Sequence, residues 1–568
     1  MPKVISIGNQ GFEDIRKENR FYVDKTEFIR EWWESGDSIT LIMRPRRFGK
    51  MLNMDMLKCF FSNQYADRED LFEGLTIWKD EKYRSIQGTY PVIYLSFADV
   101  KQTNYADAVK KIKRILSDLY QQYVFLLQEN CMTEIQKRQF SEVSPQMDDV
   151  TAQCALQDLA HYLYRFYGKK VILLLDEYDT PMQEAYVYGY WKEFTSFIRS
   201  MFNSAFKTNP YLERAVMTGI TRVSKESVFS DLNNLNVVTT TSEEYETVQD
   251  EDYDDCFGFT EQEVFASLDT FGLNEYKNQV KEWYDGFVFG KRRDIYNHPW
   301  SITNFLDKKK FDAYWAATSS NSLVSRLIQT ASSEIKEQME LLLQNKEIVV
   351  HFDEQIIFEQ LDQNENAIWS LLLASGYLKA VEVEYRGLLR EKWYHLQITN
   401  LETMGMFMMM FRGWFDVSNS VYNRFVNALL GGNVREMNAY MNEVALATFS
   451  NFDSGTHPSS KSQPERFYHG FVLGLLVELR DRYQVKSNRE SGYGRYDVML
   501  ILRNVAENAM ILEFKVFDVE EEYSLQDTVK SALRQIEEKQ YDTKLLEAGI
   551  SKNRIHHYGF AKVLIDGQ

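Results

Sequence analysis

The stretch Lys169 to Asp176, KKVILLLD, narrows the choice of fold more than any other in the chain. An unbroken apolar run has no polar face to give to water, so it reads as a strand buried on both sides. Such strands belong to parallel sheets covered by helices. The run ends in Asp176-Glu177, and open α/β sheets bind ligands at the C-terminal ends of their strands. Two further strands suit the same sheet. One is Ser38 to Met43. The other is Arg214 to Met217, which leads into Thr218-Gly-Ile-Thr-Arg222 and is expected to lie between the other two.

The strand Ser38 to Met43 runs into Arg44-Pro-Arg-Arg-Phe-Gly-Lys50 and then the helical stretch Leu52 to Phe61. Strand, basic turn with Gly-Lys, and helix form the layout of a phosphate-binding loop, whose backbone N–H groups cradle phosphate oxygens. Gly49 shapes the turn, Lys50 reaches the β- and γ-phosphates, and Arg46 and Arg47 add charge. Asp176 would hold Mg²⁺, Glu177 would polarise the attacking water, and Thr218 and Arg222 would sense the nucleotide. The usual pattern is G-x-x-x-x-G-K-[ST]. This chain has Arg44 at the first glycine and Met51 at the hydroxyl that normally binds Mg²⁺.

A second chemical centre lies in Ser491 to Phe517. Strands near Tyr496–Leu502 and Met510–Val516, joined by the polar segment Arg503 to Asn508, form a hairpin. Folding about Val505 or Ala506 brings Asp497 opposite Glu513 and Lys515, which share one strand face because they are two apart. Two carboxylates and an ammonium suit a hard divalent cation, Mg²⁺ or Mn²⁺, and activation of a water. Solvated charges on an edge hairpin would give the same three residues, but the flanking elements favour a site. Phe467 to Tyr483 is apolar at helical spacing and carries Glu478. Ala532 to Tyr541 is helical and carries Gln535. His557 to Ile565 reads as a closing strand. The pair His556-His557 reads as ordinary residues beside that strand.

These stretches together resemble bacterial proteins with an AAA-ATPase-like N-terminal domain and a C-terminal PD-(D/E)XK nuclease superfamily domain. Gly11–Arg16, Tyr22–Thr26, Arg44–Lys50, Leu174–Asp179, Thr218–Arg222, Trp283–Phe287, Tyr314–Ser320, Phe467–Phe471, Gly494–Asp497 and Glu513–Lys515 carry the likeness. The resemblance implies an α/β P-loop NTPase domain over 1–250, a mostly helical connector over 251–450, and an α/β restriction-endonuclease-like domain over 451–568. It implies ATP and a divalent metal as cofactors, with Glu478 as a further metal ligand, and nucleic acid, foremost DNA, as partner. Roles in defence against mobile DNA or in DNA processing fit the architecture.

Composition fits a large intracellular protein. Of its residues 44% are apolar and 14% aromatic, enough for real cores in 568 residues. The cysteines at 59, 131, 154 and 256 show neither metal spacing nor pairing, as expected of thiols in a reducing compartment. With no apolar signal region and no long apolar run, the cytoplasm and no membrane are expected. A net charge of −18 predicts nucleic-acid binding that depends strongly on divalent cation and low salt. In the connector, Ser242 to Cys256 reads as an acidic surface loop and Thr260-Glu-Gln-Glu as a capping box opening a helix. Val381 to Gln397 reads as a winged-helix-like hairpin turning at Arg386-Gly387, and Asn451 to Pro464 as a linker.

Two readings follow. In one, ATP at Lys50 licenses metal-dependent cutting of DNA or RNA at Asp497, Glu513 and Lys515. In the other, the chain is a nucleotide-gated binding or scaffold module with slow or absent ATP hydrolysis and a nuclease fold that does not cut. Arg222 acting in its own site or on a neighbouring subunit keeps a homo-oligomer open.

Overall fold

The computed structural model describes residues 3–220, 229, 232–239, 253–289, 292–296, 299–315, 322–343, 345–352, 364–415, 419–441, 483–491, 494–502, 508–517 and 522–562. The chain divides into two compact units. One comprises Met1–Leu327 and Asn345–Met406, the other Ile328–Gln344 and Phe407–Gln568.

The first unit is built on a parallel sheet of β1 (Ile39–Met43), β2 (Val92–Ser96), β3 (Val171–Asp176), β4 (Leu212–Gly219) and β5 (Leu235–Val238). The order is β2-β3-β4-β1-β5. Every residue of β1 and β3 is buried, as their predominantly apolar sequences demand. As expected, β4 lies between β1 and β3, pairing Met43 with Gly219 and Leu175 with Met217. That order sets the C-terminal ends of β1, β3 and β4 side by side. The sequence reading did not place β2, which pairs Ser96 with Asp176. The helices Lys50–Phe61 and Asp149–Tyr167 pack on β3.

The middle of the chain is mainly helical, with two small antiparallel sheets. The first joins β6 (Phe259–Thr260), β7 (Asp285–Phe289) and β8 (Arg292–Tyr296) in the order β6-β8-β7. Thr260 and Glu263 form the capping box that starts the helix Glu261–Phe271. The second joins β9 (Ile348–His351), β10 (Leu378–Arg386) and β11 (Glu391–Ile398). β10 and β11 form the expected hairpin, closing at Arg386 opposite Glu391. The acidic segment 242–256, read as a surface loop or switch, is described only at its C-terminal end. Its last four residues are described, and of these Tyr253, Asp254 and Cys256 are buried. The aromatic ring drives this, because Tyr253 packs edge-on against Phe28 at 5.6 Å.

The second unit holds a mixed sheet in the order β12-β13-β14-β15: β12 (Tyr483–Ser491), β13 (Gly494–Leu502), β14 (Ala509–Val516) and β15 (Ile555–Lys562). β12 to β14 are antiparallel, and β15 runs parallel to β14. Alternate residues serve opposite faces. Val498, Leu500, Met510, Leu512 and Phe514 meet Phe425, Leu429 and Tyr440 on one side. Met499, Ala509 and Ile511 meet Ile536, Tyr541 and Leu545 on the other. Tyr483, read as a helix end, instead opens β12, a strand that polar residues had hidden. Its ring joins the first of these faces, and β12 pairs with β13 along its length. Glu478, the 451–464 linker and most of the helix proposed at 467–483 lie outside the described residues.

Candidate functional site

The first candidate centre gathers at the C-terminal ends of β1, β3 and β4. The loop after β1 ends at Gly49, whose φ of +81° caps the helix Lys50–Phe61 in the left-handed region that glycine tolerates. Lys50 is buried, and its Nζ donates to the carbonyls of Arg44 (2.8 Å) and Pro45 (2.7 Å). Burial holds its ammonium below the usual lysine range, while Glu177, Asp176 and Asp179 act in the opposite sense. The cation therefore faces an acidic cluster across the loop.

Asp176 is buried at the end of β3. Its Oδ1 accepts from Thr218 Oγ1 at 2.5 Å and its Oδ2 from Ser96 Oγ at 3.3 Å. Burial pushes its carboxyl up to about 6. Glu177 follows with φ +50°. Its N–H donates to Thr218 Oγ1 at 3.3 Å, and its carboxylate accepts from Thr180 Oγ1 at 3.0 Å. A single hydroxyl on β4 thus bonds both the Asp176 carboxylate and the Glu177 backbone. Asp179 Oδ2 accepts from the Ile220 N–H at 2.9 Å. The structure brings together Gly49, Lys50, Asp176, Glu177 and Thr218, whereas Arg222 lies outside the described residues.

The arginines of the loop have separate fates. Arg46 donates to Gln183 Oε1 at 3.3 Å. Arg47 is exposed, with φ +69°, and stacks on the Trp300 indole at 4.2 Å. Arg44, at the first-glycine position, is buried and points away from the phosphate side. It donates to the carbonyls of Met43 (3.1 Å), Thr239 (3.1 Å) and Tyr253 (3.3 Å) and lies 4.4 Å over the Phe289 ring. Its role is to tie the loop to the segment behind it. No sequence pattern separates such an arginine from a phosphate ligand.

Behind that segment, Glu31 accepts from the Tyr253 N–H (3.0 Å) and the Cys256 thiol (3.2 Å). Burial lifts its carboxyl from 4.5 to about 7. The folded state therefore holds this proton more tightly than the unfolded chain does. The stability it contributes is complete below pH 4.5 and is lost as pH rises through 7. Glu31→Gln is expected to flatten the fall of Tm between about pH 5 and pH 8, gaining a few degrees at the upper end. A thermal melt series in both proteins checks this, and parallel curves would refute it.

The second centre lies on β13 and β14. Their register pairs Val498 with Leu512, and one further step sets Asp497 across from Glu513. Asp497 thus lies opposite the Glu513/Lys515 strand, as the sequence predicts. Asp497 Oδ2 accepts from the Phe514 N–H at 2.8 Å, and Glu513 Oε2 lies 3.4 Å from the Asp497 N–H. Glu513 is only 3% exposed. Gln535, on the helix Leu525–Glu538, donates to Glu513 Oε1 and to the Tyr541 hydroxyl. Lys515 Nζ donates to Ser531 Oγ on the same helix at 3.1 Å. Asp497, Glu513, Lys515 and Gln535 are thus assembled together. Ser531 and Tyr541 were not assigned roles from sequence. Gly559 on β15 was missed as well. A Cβ there would stand 3.0 Å from the Val529 carbonyl and 3.2 Å from Ala532, so a side chain would lift the helix that carries Gln535. His557 pairs with Asp542 at 2.6 Å.

Two family models match these two regions. Residues 6–229 match one described as a predicted AAA-ATPase. Residues 463–562 match one for the PD-(D/E)XK nuclease superfamily. The chain carries an AAA-ATPase-like domain and a PD-(D/E)XK nuclease superfamily domain. A curated relative from Azotobacter chroococcum mcd 1, called an uncharacterized protein in the vnfD 5'region, is similar over nearly its whole length. It is 24% identical, with 96% of this chain and 94% of the relative covered. The AAA-ATPase-like domain supports nucleotide binding, and the PD-(D/E)XK domain a nuclease-like function. No helix among the described residues is long and apolar enough to cross a membrane.

Proposed function

We propose that the chain is a metal-dependent nuclease that hydrolyses phosphodiester bonds of DNA under the control of a nucleotide bound at Lys50. The observation that carries this reading is the juxtaposition of Asp497, Glu513 and Lys515 on one sheet face, with Gln535 bonded to Glu513. The donor set fits a hard divalent cation, since it offers two carboxylates side by side and oxygen as the ligand atom. In this reading Asp497 and Glu513 hold Mg²⁺ or Mn²⁺, with Glu478 as a further ligand. The cation would supply Lewis-acid stabilisation of the phosphate and a more acidic water. Lys515, positioned by Ser531, orients that water or takes up its proton. Gln535 fixes the orientation of Glu513.

At the other centre Lys50, Gly49, Arg46 and Arg47 bind the phosphates of ATP. Asp176 and Thr218 hold its cation, Glu177 polarises water, and Arg222 contacts the nucleotide from its own or a neighbouring subunit. Domain limits at 250 and 450, a cytoplasmic setting and a role in defence against mobile DNA belong to the same proposal.

The test is cleavage of single-stranded DNA, duplex DNA and RNA by the full-length protein with Mg²⁺ or Mn²⁺, with and without ATP. DNA cleavage that changes with ATP is expected. Met51 favours a second reading, because it stands where a hydroxyl normally binds Mg²⁺. In that reading the chain is a nucleotide-gated scaffold that binds nucleic acid without cutting. Binding without cleavage under every metal and nucleotide condition would select it.

A further inference from the structure

The loop Arg44–Gly49 is backed by residues from well beyond the 6–229 match. Phe48 packs on Phe287 at 4.8 Å and on Phe289 at 5.4 Å. A Cβ at Gly49 would lie 3.8 Å from Pro299. Trp300, next in the chain, is the ring on which Arg47 stacks.

Trp300 is itself fixed. Its Nε1 donates to the Tyr314 carbonyl at 3.3 Å. It belongs to the first turn of the helix Pro299–Lys308. That turn is pinned by Ser301, whose hydroxyl lies 3.0 Å from both carboxylate oxygens of the fully buried Glu402. Arg47, by contrast, is exposed and holds a left-handed φ of +69° that costs an arginine on the order of 1 kcal/mol. A strained, exposed cation held on a rigid ring is placed by that ring. The guanidinium belongs to the loop that leads into the helix Lys50–Phe61, and the Glu177 carboxylate favours its charged form. The terminal phosphate and its attacking water belong at the acidic end of β3.

We infer that Trp300 is a positioning residue for nucleoside triphosphate binding, holding the Arg47 guanidinium where it meets the terminal phosphate. This rests on the reading of Lys50 as the phosphate lysine. It means that discrimination between triphosphate and diphosphate is supplied jointly by the phosphate loop and by a helix outside the ATPase-like match.

The test uses the full-length chain and fluorescent ATP and ADP analogues with Mg²⁺. Trp300→Ala and Arg47→Ala are each expected to weaken ATP binding about tenfold, the scale of one charge-assisted contact to phosphate, and to change ADP binding less than about twofold. The double variant should bind ATP no more weakly than either single one, because both remove the same contact. Trp300→Phe should recover most of the loss. A purely structural role for Trp300 would lower ATP and ADP affinity together, and that result overturns the inference. So does an ATP/ADP ratio unchanged in Arg47→Ala, a variant at an exposed position that does not threaten the fold. Failure of the wild-type protein to bind either analogue overturns the Lys50 reading and the inference with it.

Discussion

Asp497→Asn is expected to lower divalent-dependent DNA cleavage by a factor of about a thousand or more, with the fold retained. The choice of asparagine matters. Asp497 Oδ2 accepts a hydrogen bond from the Phe514 N–H at 2.8 Å, and an asparagine oxygen preserves that acceptor. Alanine would leave a backbone donor of a central strand without it and confuse a stability loss with a chemical one. Lys515→Ala should cost about a hundredfold or more as the water loses its orienting partner. Gln535→Ala acts only through Glu513 and should cost about tenfold to a hundredfold. Single-turnover cleavage with saturating Mn²⁺ would measure all three. The graded order is the signature of a metal centre with an outer support. Wild-type rates in Asp497→Asn would sink the site. Equal losses in all three variants, accompanied by lowered Tm, would point to a collapsed sheet.

The parts of this architecture that were legible from sequence share one property, which is that local pattern alone decides them. The run VILLLD can only be a strand buried on both faces, so β3 and the position of Asp176 at its end follow directly. The hairpin register came from the spacing of Asp497 and Glu513 around a polar turn. What stayed hidden depends on packing between distant segments. β12 is polar over most of its length and earns its strand conformation from backbone pairing with β13, which no hydrophobic period announces. The burial of Tyr253 and Cys256 beneath Arg44 reverses the expectation from their acidic neighbourhood, because one aromatic ring and one guanidinium outweigh local charge. The separate fates of Arg44, Arg46 and Arg47 could not be read either. Within four residues one is a buried tie, one reaches Gln183, and one lies on Trp300. The motif Trp283–Phe287 was legible as one of the stretches that carry the family resemblance and as a source of aromatic anchors. Its physical meaning, a floor for Phe48 of the phosphate loop, emerges from contacts across more than two hundred residues.

Met51 offers the other large expected effect, and in the direction of gain. The helix Lys50–Phe61 begins with Lys50, so residue 51 lies in its first turn, beside the loop carbonyls that hold the lysine ammonium. A threonine there brings a hydroxyl to the position from which P-loop enzymes ligate the nucleotide's cation. Asp176, Glu177 and Thr218 already stand opposite, joined by hydrogen bonds. Among the described residues, Gly49, Lys50, Asp176, Glu177 and Thr218 are brought together. Met51→Thr should therefore raise Mg²⁺-dependent ATP turnover about tenfold or more, since one well-placed ligand contributes several kcal/mol to charge stabilisation in the transition state. The helix loses only about half a kcal/mol of propensity in the exchange. Lys50→Ala is the matching loss and should weaken ATP binding about a hundredfold, because it removes the one buried cation of the phosphate loop aimed at the acids. Phosphate release and nucleotide affinity measured in the same preparations separate the cases. Higher turnover in Met51→Thr would mean that the natural chain is built to hold ATP longer than it hydrolyses it, which suits a licensing signal better than a motor. Unchanged turnover with full ATP affinity would mean that hydrolysis is restrained elsewhere, and the arrangement of Glu177, at φ +50°, would be the place to look.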